Sequence, residues 1–247
     1  MNRPRFLAAF NFVSGIASIL SLFLYFLNVK WGAYFALIFF VFFLLSVLLL
    51  LWWAIHGMLR KEDQYEYKKL SAFSFYDTVD GVKGVYESFR VIQSKRLCLR
   101  FVDWNFKWSG SKRPVLSSSL QRVDGKVIDG GQEYDKVRLV FNRPLAFNET
   151  ETVHFRAEVD DVDGMAGPYS AYRVDSPINL VHFRITLRHK SQEFNRPAFI
   201  QRKLIESQYS VDYTNVCTVP FDKETKSYHY DLLNPEVGYF YRILWEK

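Results

Sequence analysis

The sequence predicts a membrane α-helical hairpin followed by an all-β domain, built as an antiparallel β-sandwich or a small β-barrel. Two observations carry this. From Phe6 to Ile55, Lys30 is the only charged residue. After Ser71 the apolar positions stop recurring at a helical spacing and begin to alternate, which is the period of a half-buried strand. The expected organisation is a hairpin domain over residues 1–56, a charged connector over 57–70 and a β domain over 71–247.

Backbone that crosses lipid must satisfy its own hydrogen bonds, so the apolar stretch is expected to be helical. It divides at Asn28-Val29-Lys30 into Phe6–Leu27 and Trp31–Ile55, 22 and 25 residues. At 1.5 Å per residue these reach roughly 33 and 37 Å, enough to cross a hydrocarbon core of about 30 Å. The first run is longer than the apolar region of a signal peptide, and no A-x-A-like cleavage site follows it. In the first helix Asn11, Ser14, Ser18, Ser21, Tyr25 and Asn28 recur at spacings of 3, 4, 3, 4 and 3, with Gly15 beside them. Such a seam of small and hydroxyl side chains marks a helix contact in lipid. Asn11, Ser14, Gly15, Ser18 and Ser21 are therefore candidate interface residues, within one hairpin or between copies in a homo-oligomer. The second helix is bulkier, with Trp31 and Tyr34 at one end and Trp52 and Trp53 at the other, as in aromatic interfacial belts.

Residues 1–70 hold seven Lys and Arg against three Asp and Glu, leaving 25 bases against 23 acids in the rest. The basic excess flanks the hairpin and does not describe a nucleic-acid-binding surface. Arg3 and Arg5 precede the first helix, and Arg60, Lys61, Lys68 and Lys69 follow the second. By the positive-inside rule both termini are expected in the cytoplasm, with the chain multi-pass in the inner membrane and lipids as its partners.

The connector from Gly57 to Leu70 has no proline and can prolong the second helix. Beyond it, Leu97, Leu99 and Phe101, then Val181, Phe183, Ile185 and Leu187, then Val237, Tyr239, Tyr241, Ile243 and Trp245 alternate with other residues. Further runs at Phe73–Thr78, Val85–Ile92, Lys136–Asn142, Val153–Val159 and Tyr209–Val219 are similar, giving eight or nine strands. Asp80-Gly81, Asp124-Gly125, Asp163-Gly164 and Asn234-Pro235 separate them as turns. Phe194–Glu206 reads as a short helix or an irregular loop. Cys98 and Cys217 are too few for a disulfide framework and are expected as buried free thiols.

Chemistry is sparse. The five histidines lack metal-ligand spacing, and no phosphate-binding loop, dinucleotide loop or nucleophile elbow is present. Glu158–Gly164 fails the frame of a calcium loop because Val159 takes the first acidic position. No catalytic residue, metal or cofactor is expected. Arg184, Arg188, His189 and Lys190 form the candidate ligand site. Alternation puts Arg184 and Arg188 on one strand face, where paired guanidiniums can grip a phosphate, and a solvated outer face is the plainer alternative. Trp104, Phe106 and Trp108 share a face with Val102, as core or as a surface on which a base could stack.

Taken as a layout, hairpin Phe6–Ile55, connector Gly57–Leu70 and β domain Ser71–Lys247, the chain resembles a family of bacterial antiphage effectors. These occur in cyclic-oligonucleotide signalling and retron systems. The architecture carries the resemblance and no motif does, so no binding residue is transferred from it. It implies a β domain that senses a cyclic nucleotide or a partner protein of the same defence system. It implies also hairpins that oligomerise and permeabilise the inner membrane. The alternative is a constitutive membrane-tethered scaffold whose β domain binds a protein.

Overall fold

The structure is a computed structural model that describes residues 29–62, 66–110, 112–128, 135–205 and 212–246. The chain divides into two compact units, Met1–Glu62 and Asp63–Lys247.

Among the described residues of the first unit, one helix, α1, runs unbroken over Val29–Glu62. Its apolar side chains are exposed along most of their length, Leu49 and Trp53 among them. A helix that is apolar all round and uncovered by its own chain requires lipid or another apolar partner. Leu37–Gly57, 21 residues, is long and apolar enough to cross a membrane. The Ser46 hydroxyl donates to the Phe42 carbonyl at 2.8 Å, so its polar group is satisfied inside the helix.

This corrects the multi-pass localisation, and with it the placement of both termini in the cytoplasm. Among the described residues there is a single candidate span. The helix expected over 6–27 and its seam, Asn11, Ser14, Gly15, Ser18 and Ser21, lie outside the described residues. The connector expected over 57–70 is divided: residues up to Glu62 prolong α1, and Tyr67–Leu70 open the first strand.

The second unit holds three sheets. Strands β1 (Tyr67–Thr78), β2 (Lys83–Ser94), β4 (Val115–Ser117), β7 (Thr150–Asp160), β9 (Leu180–Leu187) and β12 (Ser227–Leu233) form a six-stranded sheet in the order β12-β9-β1-β2-β7-β4. Strands β8 (Tyr169–Val174), β10 (Ala198–Leu204), β11 (Thr214–Val219) and β13 (Tyr239–Leu244) form a second, ordered β11-β10-β13-β8. Strands β3 (Leu99–Phe106), β5 (Arg122–Ile128) and β6 (Asp135–Leu145) form the third, ordered β3-β6-β5. The β-rich domain expected from the alternation is present. It departs from a purely antiparallel design, because β1 and β9 pair in parallel from Ser71↔Leu180 to Thr78↔Leu187. The segment read as helix or loop at 194–206 contains β10. Cys98 is exposed and Cys217 half-buried, so the expectation of two buried thiols fails.

The β1–β2 hairpin shows how local chemistry sets register. The Asp80 carboxylate accepts the Val82 and Lys83 N–H groups at 2.9 and 2.7 Å, and Thr78 Oγ1 accepts from Gly81 at 2.9 Å. Gly81 takes φ +80°, which a residue without Cβ adopts at little cost. The pairing that follows sends Ala72, Ser74, Tyr76 and Thr78 to the inner face and Phe73, Phe75 and Asp77 to the outer one.

Two apolar cores lie on that inner face. Val181, Phe183 and Ile185 pack with Ile200, Ile243 and Tyr228 in one, uniting the six-stranded and four-stranded sheets. Val153 and Phe155 pack with Val102, Trp104, Val137 and Leu139 in the other, uniting the six-stranded and three-stranded sheets. Tyr76 on β1 touches both.

Candidate ligand-binding cleft

Because two smaller sheets cover one face of a larger one, the interior is divided, and a cleft of about 500 Å³ lies in the division. Residues from β1, β2, β7 and β9 form its floor, β3 one wall, and β8 with the segment after β13 the other. Its walls are aromatic. All three tryptophans after residue 62, Trp104, Trp108 and Trp245, line it, as do Tyr67, Tyr86 and Tyr172. Trp104 stacks on Phe155 with ring centroids 5.2 Å apart, and Trp245 stacks on Tyr76 at 5.4 Å, so both indoles are held against their cores.

Arg90 enters this cleft from the inward row of β2. Its guanidinium carbon lies 3.5 Å from the centroid of Trp104 and 5.4 Å from that of Tyr172. Rings hold it, and its Nε is buried with no hydrogen-bond partner. Tyr172 is 5 % exposed, and its hydroxyl is likewise unpartnered. Burial pushes the Tyr172 phenol up to about 12, against the opposing pull of Arg90. Trp108 Nε1 is a third buried donor without an acceptor.

Lys69 and the carboxylates that line the cleft are committed. Lys69 pairs with Asp175. Burial, then the neighbouring Arg90 charge, pushes the Lys69 amine down, while Asp175 partly offsets them. Burial acts to raise the Asp175 carboxyl, but the Lys69 ammonium and its hydrogen bond outweigh it and hold the group below its ordinary value. Asp103 receives Arg138 Nε at 2.9 Å, Glu246 lies 3.0 Å from Arg196, and Asp161 accepts the Ala166 N–H at 2.7 Å. Each carboxylate lining the cleft therefore has a cationic or N–H partner. The hydroxyls of Ser74 and Ser170 meet at 3.0 Å, and Ser74 donates to Tyr86 at 3.3 Å. A cleft of this size and composition can enclose a small flat molecule that supplies acceptors.

The four basic residues singled out in the sequence do not form one site. Arg184 and Arg188 share the outer face of the six-stranded sheet, along an open groove of about 890 Å³. There Arg188 is committed to Asp77, with Nε 2.8 Å from Oδ1 and Nη2 2.5 Å from Oδ2. Arg184 stands beside His229, whose imidazole is pushed down by burial and then by that guanidinium. The chain turns after Leu187, so His189 and Lys190 line the aromatic cleft instead. Lys190 Nζ sits 4.6 Å from the Phe194 ring centroid. Trp104, Phe106 and Trp108 do lie together on the cleft wall. Sequence reasoning missed Arg90 and Tyr172. The signal for Arg90 was a cation on the inward row of Gly84, Tyr86, Ser88 and Ile92, a position that burial disfavours.

Among the described residues no group of three or more His, Cys, Asp or Glu side chains lies close enough to hold a metal ion. No family model matches the chain, and no curated protein matches it. Among solved structures, an M1 zinc metallopeptidase from Deinococcus radiodurans is similar at 10 % identity and a TM-score of 0.37. The alignment covers 73 % of this chain and 42 % of the peptidase, so the chain spans less than half of that protein's length. Baculovirus P35 is similar at 9 % identity and a TM-score of 0.39, over 74 % of this chain and 99 % of P35.

Proposed function

We propose that this chain is a membrane-anchored sensor without catalysis, whose β unit captures a small-molecule trigger in the aromatic cleft. The observation that supports it best is the position of the cleft in the chain. Tyr67 and Lys69 line it, and only four residues separate Tyr67 from Glu62, the last residue of α1. A ligand seated there bears on the strand that the apolar helix leads into. As in the antiphage effectors that the layout resembles, the trigger is a nucleotide or a comparable small molecule. The output is self-association of copies in the bilayer and loss of its barrier function.

Four residues, Gly-Ser-Gly-Ser, inserted between Gln64 and Tyr65 lengthen the path between the units and leave the strands and the span unaltered. Cells expressing the parent chain are expected to take up a membrane-impermeant dye. Cells expressing the insertion variant at equal membrane abundance are expected to exclude it. Equal dye entry in both would show that cleft and span are not coupled. Dye exclusion by both would favour the tethered-scaffold reading.

A further inference from the structure

We infer that the ligand of the aromatic cleft is a flat ring system bearing an oxyanion, a carboxylate or a phosphate, held by Arg90 and Tyr172. This rests on the reading of the cleft as a ligand site and adds the chemistry of what it takes.

The charge balance of the cleft favours an anion. A guanidinium keeps its charge at every physiological pH and carries five N–H donors. Among the described residues Arg90 has no hydrogen-bond or ion-pair partner, and its guanidinium lies against the faces of Trp104 and Tyr172. Arg90 is half-buried, and its Nε, a buried donor without an acceptor, is costly to leave in that state. The carboxylates in reach are engaged, Asp175 by Lys69, Asp103 by Arg138 and Glu246 by Arg196. Asp175 feels the Arg90 charge but gives its hydrogen bond to Lys69, so among the described residues no carboxylate is hydrogen-bonded to Arg90.

The unpartnered atoms share one polarity. Arg90 Nε and Trp108 Nε1 can only donate, and the Tyr172 hydroxyl, held protonated to about pH 12 by burial, donates as well. Three donors with no acceptor describe the complement of an oxyanion. The two rings that flank the guanidinium fix its plane before anything binds, which lowers the ordering cost of a bidentate contact. The rest of the wall is indole and phenol, suited to stacking on a second flat ring.

The test uses the full chain in nanodiscs of phosphatidylcholine and three probes of one shape: 2-naphthoate, 2-naphthyl phosphate and the neutral 2-naphthamide. Isothermal titration is expected to give Kd values for one or both anions at least about tenfold below that of the amide, as a charge-assisted contact to a half-buried guanidinium implies. Whichever anion binds more tightly identifies the oxyanion. Arg90→Met should remove that preference while leaving the amide affinity unchanged. Tyr172→Phe, which keeps the ring and its packing, should reduce the preference without abolishing it, so a folding failure of the first variant leaves the second decisive. Arg184→Ala with Arg188→Ala should change nothing. Equal binding of anions and amide would overturn the oxyanion assignment and leave the cleft as a ligand site. Loss of anion binding in the Arg184 and Arg188 variant would place the anion on the outer face and overturn the assignment too. Failure of all three probes to bind would overturn both this inference and the cleft reading.

Discussion

At the scale of single residues, burial decides which ionisable groups matter. Arg188 and Asp77 make the better-formed ion pair, but both are well exposed, and solvent screening leaves such pairs little effect on stability. Tyr172 and Tyr228 are buried at 5 % and 0 % exposure, and burial pushes each phenol from 10.0 up to about 12. Tyr228 also donates to the Arg196 carbonyl at 2.6 Å. A phenol whose folded pKa is raised favours the folded state below its unfolded pKa, and that advantage is lost as pH rises through the folded value. Between pH 10 and 12 the unfolded chain ionises these tyrosines and the folded chain does not, at a cost of roughly 3 kcal/mol each. Lys69 works in the opposite sense, because its lowered pKa makes its burial penalty fade as pH approaches 10.5. The thermal midpoint of the β unit is accordingly expected to fall steeply above pH 10. Tyr172→Phe should flatten that fall, and an unchanged slope would show that Tyr172 titrates normally.

Elements were legible in the sequence where one face is apolar over several residues. The inward row of β9, Val181 to Leu187, and that of β13, Tyr241 and Ile243, were read correctly because each is buried against the other sheet. The strand before Trp104 was harder. A register shift between Leu99 and Phe101 reverses the facing, so Leu99 is buried while Phe101 is exposed. Strand β10 escaped notice because Gln201, Arg202 and Lys203 interrupt its apolar pattern near one end. The cleft was legible only in part: Trp104, Phe106 and Trp108 stood out, but their meeting Arg90 and Tyr172 depends on how three sheets pack. The β1–β2 hairpin offers a direct test of turn chemistry. At φ +80°, a Cβ on Gly81 would lie 3.2 Å from His189 Nε2. Gly81→Ala is expected to lower stability by about 1–2 kcal/mol, read as a drop in denaturant midpoint with unchanged slope. An unaffected midpoint would mean that the turn relaxes freely.

For the whole molecule, composition announced the apolar segment, and the structure reduces what it supports to one candidate span within the described residues. Charge placement misled in one respect. Lys69 was counted as part of a basic membrane flank, yet its side chain is 11 % exposed and paired with Asp175 inside the β unit. The central claim is that the space between the two cores is a ligand site, and the six tryptophans divide in a way that tests it. Trp31, Trp52 and Trp53 belong to α1, and Trp104, Trp108 and Trp245 line the cleft. Indole N–H resonances of the full chain, labelled with ¹⁵N-tryptophan in a detergent micelle and titrated with 2-naphthoate, report on both sets at once. Saturable shifts in Trp104, Trp108 and Trp245 are the result expected, whether or not the α1 tryptophans follow them as copies associate. Shifts confined to the three α1 tryptophans would contradict it.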